Sequence, residues 1–399
     1  MTKLHIAMLM TVLVFAACPA HADLLGDTIK PFISFSEMYD SNIFRVKNSA
    51  QLKAALGDSR MADFVSTLSV GTELHYGISR ETLDVHLEKD FLFYSHYTSQ
   101  NMDQDNVNGT LGITLLDKVH LKLNGYYQSY PEARVDYRST AVNEVSSTGY
   151  GASLSYETAR GIGLTAGYHN SGISYSLFQY RPNEYNVDSY SGSAWYRLAA
   201  DARAYVTYQR DNTNYPNDMY LGGVLVNNSS VADSVRIGLE KTVSSKTAVS
   251  CYVGFLSRRH EFAQGRDFSG VIANANVTYG VTGKLGLLLN FQRQIYEETY
   301  TDYTYSITDS LGLGLVYELA AKVKATLYEK LSWKDFQEIP FSGVPQRNDF
   351  LQQLNLGVEW NPVNRVFLDL GYQYSTRSSN DPTLGFTDHA VMTSVAYKF

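Results

Sequence analysis

Apolar and polar positions alternate with a two-residue period along most of this chain. In residues 387–399, Val391, Val395 and Phe399 fall in one phase, whereas Ser394 falls in the other. Successive side chains of a β-strand point to opposite faces of its sheet. The pattern therefore predicts strands with one apolar and one polar face.

The alternation recurs in about 18 segments, which short and long connections separate in turn. The predicted strands cover residues 31–39, 64–76, 83–93, 107–115, 119–130, 147–157, 162–174, 187–197, 202–211, 231–241, 246–257, 267–279, 284–296, 304–317, 323–335, 349–360, 366–377 and 387–399. This rhythm is typical of an all-β fold, a transmembrane antiparallel up-and-down β-barrel. In such barrels the short turns are periplasmic and the long loops extracellular, and an even strand count places both chain ends in the periplasm.

Aromatic residues at the two ends of the apolar phase support a membrane barrel. A periplasmic ring is predicted from Tyr76, Tyr156, Tyr196, Tyr279, Tyr317 and Trp360. An outer ring is predicted from Phe93, Tyr127, Tyr168, Tyr208, Phe255, Phe291, Trp333 and Tyr374. Two aromatic rings that flank an apolar band mark the two interfaces of a bilayer, and the outer-membrane lipid is therefore an expected partner.

Composition agrees with this assignment and excludes other classes. Charged residues make up 18% of the chain, and 31 tyrosines stand out. No run of 18 apolar residues occurs beyond the N-terminal leader, so no transmembrane helix is predicted. The net charge of −7 argues against nucleic acid as a partner.

The N-terminus predicts secretion. Residues 1–22 combine Lys3, an apolar stretch at 6–17 and a small-x-small site that ends at Ala22. We expect cleavage near Ala22, and a barrel domain that covers residues 23–399. A lipoprotein signal with Cys18 as the lipidated residue is the alternative. After cleavage Cys251 is the one remaining cysteine, so no intrachain disulfide is expected.

The polar phase of the strands must line the lumen, where two charged walls are predicted. The acidic wall consists of Glu73, Asp84, Glu88 and Asp90, together with His75 and His86. The basic wall consists of Lys322, Lys324, Lys330 and Lys334. A field between such walls would orient charged or polar solutes. The alternative is that these residues merely pair with one another inside a water-filled lumen.

Aromatic residues in the polar phase are candidates for sugar contacts. They are Tyr126, Tyr130, Trp195, Tyr205, Tyr252 and Tyr328, with amides at Asn274, Asn276, Gln292, Gln353 and Asn355. Aromatic faces and amides together suit a low-affinity track for sugars. The alternative is that the tyrosines fill a narrow lumen and form hydrogen bonds there. Inward glycines such as Gly149 and Gly312 would leave room for an inward-folded loop.

No enzymatic constellation emerges from the sequence. His169 and Ser171 share a face, as do Asp84 and His86, but such pairs are frequent by chance in any strand. No third residue at a diagnostic spacing accompanies them. Metal and nucleotide motifs are absent from the sequence, so no cofactor is expected.

Two short segments carry a family resemblance. They are Tyr39-Asp40-Ser41-Asn42-Ile43-Phe44-Arg45 near the start, and Arg377-Ser378-Ser379-Asn380-Asp381-Pro382 followed by Asp388 near the end. With the barrel length, they resemble the β-barrel porins encoded beside bacterial exopolysaccharide operons, the EpsL-like outer-membrane proteins. The resemblance implies a pore or accessory role in exopolysaccharide export, with the polymer and its periplasmic export proteins as partners, and supplies no catalytic residue.

The sequence therefore predicts an outer-membrane barrel of a Gram-negative bacterium. A general diffusion porin for small polar solutes and a structural barrel with a plugged lumen are the alternatives to the export role. The final strand, which ends in Phe399, resembles the signal that the barrel-assembly machinery recognises, so that machinery is a further expected partner.

Overall fold

The computed structural model describes residues 28–132, 141–221, 224–244, 246–262, 264–298, 303–338 and 345–399. The predicted leader and its cleavage site near Ala22 lie outside these residues. Within them, eighteen strands form one antiparallel sheet that closes on itself. The barrel that the alternation predicted is thus confirmed, with the expected even number of strands.

The bounds of the strands extend most of the predicted segments by one to five residues. The barrel strands are β1 (Ile29–Asp40), β2 (Asp63–Ile78), β3 (Glu81–Tyr94), β4 (Met102–Leu116), β5 (Val119–Pro131), β6 (Glu144–Glu157), β7 (Ile162–Tyr175), β8 (Tyr185–Ala199), β9 (Ala202–Asn214), β12 (Ser230–Ser244), β13 (Thr247–His260), β14 (Phe268–Gly280), β15 (Leu285–Glu297), β16 (Tyr303–Ala320), β17 (Val323–Glu338), β18 (Asn348–Val363), β19 (Val366–Ser379) and β20 (Phe386–Lys398). A small hairpin in one long connection comprises β10 (Met219–Leu221) and β11 (Val224–Val226).

Neighbours in sequence are neighbours in the sheet, except that β9 pairs with β12 across the small hairpin. The last strand closes the barrel against the first, with Asp40 opposite Ala390 and Phe32 opposite Lys398. The amide of Phe399 donates to the Pro31 carbonyl at 2.9 Å, so the final residue also takes part in the closure. Closure removes the free sheet edges that a membrane could not hydrogen-bond.

The apolar phase of the strands faces outward. Both predicted aromatic rings lie on this surface: Tyr76, Tyr196 and Trp360 are exposed at the end with the short turns, and Tyr208, Phe255 and Trp333 toward the end with the long loops. We refer to these as the turn end and the loop end. Among the described residues, no helix is long and apolar enough to cross a membrane.

A belt of polar pairs follows the outward surface near the outer aromatic ring. Lys89 pairs with Asp105 at 3.0 Å, and Arg293 pairs with Asp309 at 2.7 Å. The Tyr168 hydroxyl donates to the Asp188 carboxylate at 2.7 Å. Polar pairs at this height suit a headgroup layer, where charges are hydrated, rather than the hydrocarbon below it.

The first long connection folds into a compact structure at the loop end. Its helix α1 (Ser49–Leu56) begins at Asn48, whose side chain accepts from the Gln51 amide, and ends at Gly57 in the left-handed region (φ 75°). Leu52 of α1 packs with Ile43, Phe44 and Val46 into a buried cluster. Tyr94 and Tyr97 at the loop end of β3 cover this cluster.

The sequence segment that carried the family resemblance ties this connection to the closing strands. Arg45, in the left-handed region (φ 52°), pairs with Asp40 at 3.0 Å and with the buried Asp388 at 3.2 Å. The Asn42 amide group donates to the carbonyls of Val46 and Thr387 at 2.7 and 3.0 Å. In this structure the segment therefore locks the loop end of the β1–β20 seam.

A second contact holds the same connection to β3. The His96 ring lies 2.7 Å from the Asp58 carboxylate, and this hydrogen bond lowers the pKa of Asp58 to about 2. Partial burial in the same cluster raises the pKa of Tyr97 to about 12. The Asp58 carboxyl group is therefore ionised and the Tyr97 hydroxyl neutral at pH 7.

Candidate functional site: the barrel lumen

The polar phase of the strands lines the lumen, and its two halves differ. Inward charged side chains near the turn end are well exposed, with 69% for His75 and 47% for Glu359. Inward side chains near the loop end are buried, among them Asp63, Phe336 and Asp388 at 0%. The lumen is therefore an open vestibule at the turn end and is packed with side chains and loop segments at the loop end.

Part of this packing comes from the loop end of β15, which separates from β14 but stays paired with β16. The pairing between β14 and β15 runs from Gly280 opposite Gly286 to Ala273 opposite Arg293 and ends there. Beyond that point Ile295 approaches the inner side of β14, and its Cδ1 lies 2.7 Å from where a Cβ on Gly270 would stand. We call residues 294–298 the constriction segment, because this end of β15 parts from β14 and lies over its inner side, while residues 294–297 stay paired with β16.

Ion pairs hold the constriction segment from both sides. Glu297 pairs with Arg258 and with the fully buried His260, which lies 3.1 Å away, both on β13. Glu298 pairs with Lys334 of β17 at 2.8 Å and accepts from the Ser306 hydroxyl at 2.6 Å. The two adjacent glutamates thus connect inner walls that lie four strands apart.

A buried arginine supports the same segment from the loop that precedes β14. The Arg266 guanidinium donates to the carbonyls of Glu298 and Thr304 at 2.7 and 3.3 Å. Burial lowers the pKa of Arg266, because the charged form loses its hydration. The upper end of β15 is thus an inward-folded element of this lumen, whereas the inward glycines that suggested room for a loop, such as Gly149 and Gly312, lie beneath the Tyr126 and Tyr328 rings.

The predicted acidic wall lies on β2 and β3 and faces the lumen. Asp84 contacts the His75 ring, and Glu88 lies 3.1 Å from the His86 ring. Glu73 pairs with Lys398 of the final strand at 3.0 Å. Lys398 thus compensates part of the negative charge of this wall.

The predicted basic wall lies on and beside β17, five strands from β2, and two of its four lysines pair with carboxylates. Lys324 pairs with Glu359 of β18 at 3.0 Å, and Lys334 pairs with Glu298. Lys322 lies in the turn before β17 and donates to the Pro362 carbonyl at 2.8 Å. Among the described residues, Lys322 and Lys330 are the two members of this wall with no carboxylate within 4.0 Å. Pairing therefore joins strands that are adjacent or two apart rather than opposite sides of the lumen.

The inward aromatic residues lie flat on the wall, over glycines of the neighbouring strand. A Cβ on Gly149 would overlap the Tyr126 ring, and a Cβ on Gly163 would overlap the Trp195 ring. The same holds for Gly238 beneath Tyr205, Gly312 beneath Tyr328 and Gly71 beneath Phe32. These glycines accommodate aromatic rings, so one face of each ring rests on the wall and the other is presented to the lumen.

Further predicted contact residues share this inward surface. Tyr130 is 36% exposed, and Tyr252 lies beside the guanidinium of Arg236. Amides form short rows between the aromatic residues, as where the Asn276 side chain donates to that of Asn274 at 2.6 Å. The register places Asn355 directly beside Tyr328. All the predicted aromatic and amide residues therefore line the lumen, on several walls.

The described residues contain no group of three or more His, Cys, Asp or Glu that could hold a metal ion. The His169 ring stacks on Tyr126, with ring centroids 6.3 Å apart. The contacts of this histidine thus fit the lining of a lumen. The arrangement can pass and orient solutes, and its chemistry is that of a pore.

An eighteen-stranded barrel with an apolar outer band, two aromatic rings and a polar lumen defines an outer-membrane porin. A model of the family described as "Putative beta-barrel porin 2" matches residues 26–399, and the chain belongs to this family. Porins are channels rather than enzymes. A comparison with curated proteins found no match.

Solved outer-membrane porins share the fold. The chain is similar to OccK2 (OpdF) of Pseudomonas aeruginosa, with 11% identity, a TM-score of 0.52, and coverage of 94% of this chain and 98% of that one. A BenF-like porin from Pseudomonas fluorescens Pf-5 has 10% identity and a TM-score of 0.52, with 94% and 99% covered. OccK9 (OpdG) of P. aeruginosa has 12% identity and a TM-score of 0.50, with 93% and 98% covered.

Proposed function

We propose that this porin is a conduit for exopolysaccharide across the outer membrane. The observation that carries the proposal is the set of aromatic rings that lie flat on separate walls of the lumen. Tyr126 lies on β5, Tyr205 on β9 and Tyr328 on β17. A sugar ring has an apolar face that can stack on such a surface, while neighbouring amides hydrogen-bond its hydroxyls.

Weak and repeated contacts suit a polymer that must slide. Each flat ring offers one face, so each sugar unit gains little and is released easily. An eighteen-stranded barrel encloses a lumen wide enough for a polysaccharide chain where loops do not fill it. Passage then depends on the constriction segment, which side-chain ion pairs hold on the side of β13 and on β17, and backbone pairing holds to β16.

A general diffusion porin for small polar solutes is the second candidate. The constriction segment favours it, because Glu297 and Glu298 tie the segment to β13 and β17 and narrow the lumen. Such a pore would need no aromatic track. The two functions therefore differ in which transport process fails when the protein is removed.

Deletion of the encoding gene tests the proposal. We expect the deletion strain to secrete less exopolysaccharide and to retain polymer in the periplasm, while small-solute permeability stays nearly normal. Replacement of Tyr126, Tyr205 and Tyr328 together by Ala should reproduce part of the defect. Replacement of the same three residues by Phe keeps the ring faces and should preserve secretion. Normal polymer secretion with impaired uptake of small solutes would favour the diffusion porin.

A further inference from the structure

Arg236 lies on the lumen face of β12 without an acidic partner. Among the described residues, no carboxylate oxygen lies within 4.0 Å of its guanidinium. Its Nε is buried and has no hydrogen-bond partner. Two other arginines on the lumen side are paired with carboxylates: Arg203 with Glu240 at 2.5 Å and Arg347 with Asp349 at 2.5 Å. Arg236 therefore carries an uncompensated positive charge.

The surroundings of Arg236 form an aromatic platform, which we define as Tyr205, Gly238 and Tyr252. Gly238 is opposite Tyr205 on β9 and opposite Tyr252 on β13, so the three residues share one row of the inner wall. The Tyr205 ring covers Gly238, and the Arg236 guanidinium lies 5.6 Å from the centroid of the Tyr252 ring. The charge thus stands at the edge of a flat aromatic surface.

Arg236 also lies almost opposite the acidic wall. β12 is seven strands from β3 and eight from β2 in the closed sheet of eighteen strands. A negatively charged group in the lumen is repelled by Asp84 and Glu88 and attracted toward β12. The field across the lumen therefore directs an anionic solute to the platform.

We propose that Arg236 and the aromatic platform form a binding subsite for the carboxylate-bearing sugar residue of an acidic glycan, a hexuronate. The planar guanidinium can donate two parallel hydrogen bonds to a carboxylate. The Tyr205 and Tyr252 rings would take the apolar face of the sugar that bears it. A role for this subsite in polymer passage rests on the proposed function, and it specifies that the exopolysaccharide is acidic.

Equilibrium dialysis of the purified full-length barrel in detergent tests the subsite. The probes are labelled tetragalacturonate, galacturonate and, as the neutral control, maltotetraose. We expect tetragalacturonate to bind about tenfold more tightly than maltotetraose, as a charge-assisted hydrogen-bond pair allows. Arg236→Gln should remove this difference, and Arg236→Lys should keep part of it. Lys122→Gln removes an inward charge on β5 and should leave the difference unchanged.

The following results decide whether Arg236 forms the proposed subsite. Equal binding of acidic and neutral tetrasaccharides, equal binding by Arg236→Gln and the wild type, or no binding at millimolar concentrations would each overturn the subsite. Equal affinity for galacturonate and its tetramer would support a subsite for one sugar unit. Normal secretion in the deletion strain with loss of binding in Arg236→Gln would refute the conduit but retain the subsite for free sugar acids. Heat-modifiable migration of each variant checks that the barrel is folded.

Discussion

Two adjacent leucines on β15 test which face of the barrel meets lipid. Leu287 faces outward and Leu288 faces the lumen, yet their exposed fractions are 38% and 40%. Replacement of each by Arg therefore introduces the same charge at nearly the same height in the barrel. In both cases the residue replaced is a leucine with a similar exposed fraction. Differences in stability then report the solvent on each side of the wall.

The expected magnitude follows from the position of Leu287. It lies four residues from Phe291 of the outer ring, which at a rise of about 3.3 Å per residue and a tilt of about 40° is about 10 Å. That depth is near the middle of an apolar band about 25 Å tall. We expect Leu287→Arg to lower the free energy of unfolding by about 2–4 kcal/mol, and Leu288→Arg to lower it by about 1 kcal/mol or less.

Urea unfolding from lipid vesicles provides the measurement, with the fluorescence of the three tryptophans as the signal. Both variants are compared with the wild type at the same lipid-to-protein ratio. A similar loss of stability for the two variants would refute the assigned orientation. A larger loss for Leu288→Arg would mean that the lumen is closed and dry at this height.

Three further perturbations address the lumen and its loops. Gly312→Ala should lower single-channel conductance, because a Cβ there displaces the Tyr328 ring. Gly286→Ala is the control and should leave the conductance unchanged, because a Cβ there meets no neighbouring atom within 4 Å. Equal conductances of the two variants would contradict this reasoning. Lys330→Glu should shift the reversal potential in a salt gradient toward cations, and an unchanged value would count against a charged pathway past β17. The lowered pKa of Asp58, about 2, means that its contact contributes fully above the ordinary Asp pKa and is lost as the pH falls toward 2. Hydrogen exchange of the first connection, corrected for intrinsic rates, should therefore stay unchanged from pH 7 to pH 4, and release above pH 5 would contradict the assignment.

The alternation of the sequence was sufficient to predict the barrel, because one face of each strand meets lipid and the other meets the water of the lumen. Every predicted strand exists, and lumen residues such as Tyr126 and Asp84 face inward as their phase requires. Because side chains alternate with a period of two, the requirement for one apolar face decides which residues point outward and which point inward. Helix α1 was not predicted, because its eight residues carry no long apolar period.

Other features of the lumen could not be read from the sequence. The two-residue period continues through Ile295 although the upper part of β15 separates from β14, because the change lies in strand pairing rather than in residue type. The partner of Lys324 depends on register, which places Glu359 directly opposite it. The lack of a carboxylate partner for Arg236 also depends on register, because register decides which residues lie opposite it. Ion pairs between strands are thus properties of the assembled sheet.

Polymer passage through a single reconstituted barrel is the most direct test of the conduit. The purified protein is placed in a planar bilayer, and exopolysaccharide of defined chain lengths is added on the periplasmic side under an applied voltage. The account predicts transient interruptions of the current whose duration grows with chain length and shortens when Tyr126, Tyr205 and Tyr328 are replaced by Ala. An uninterrupted current, or interruptions independent of chain length, would contradict it.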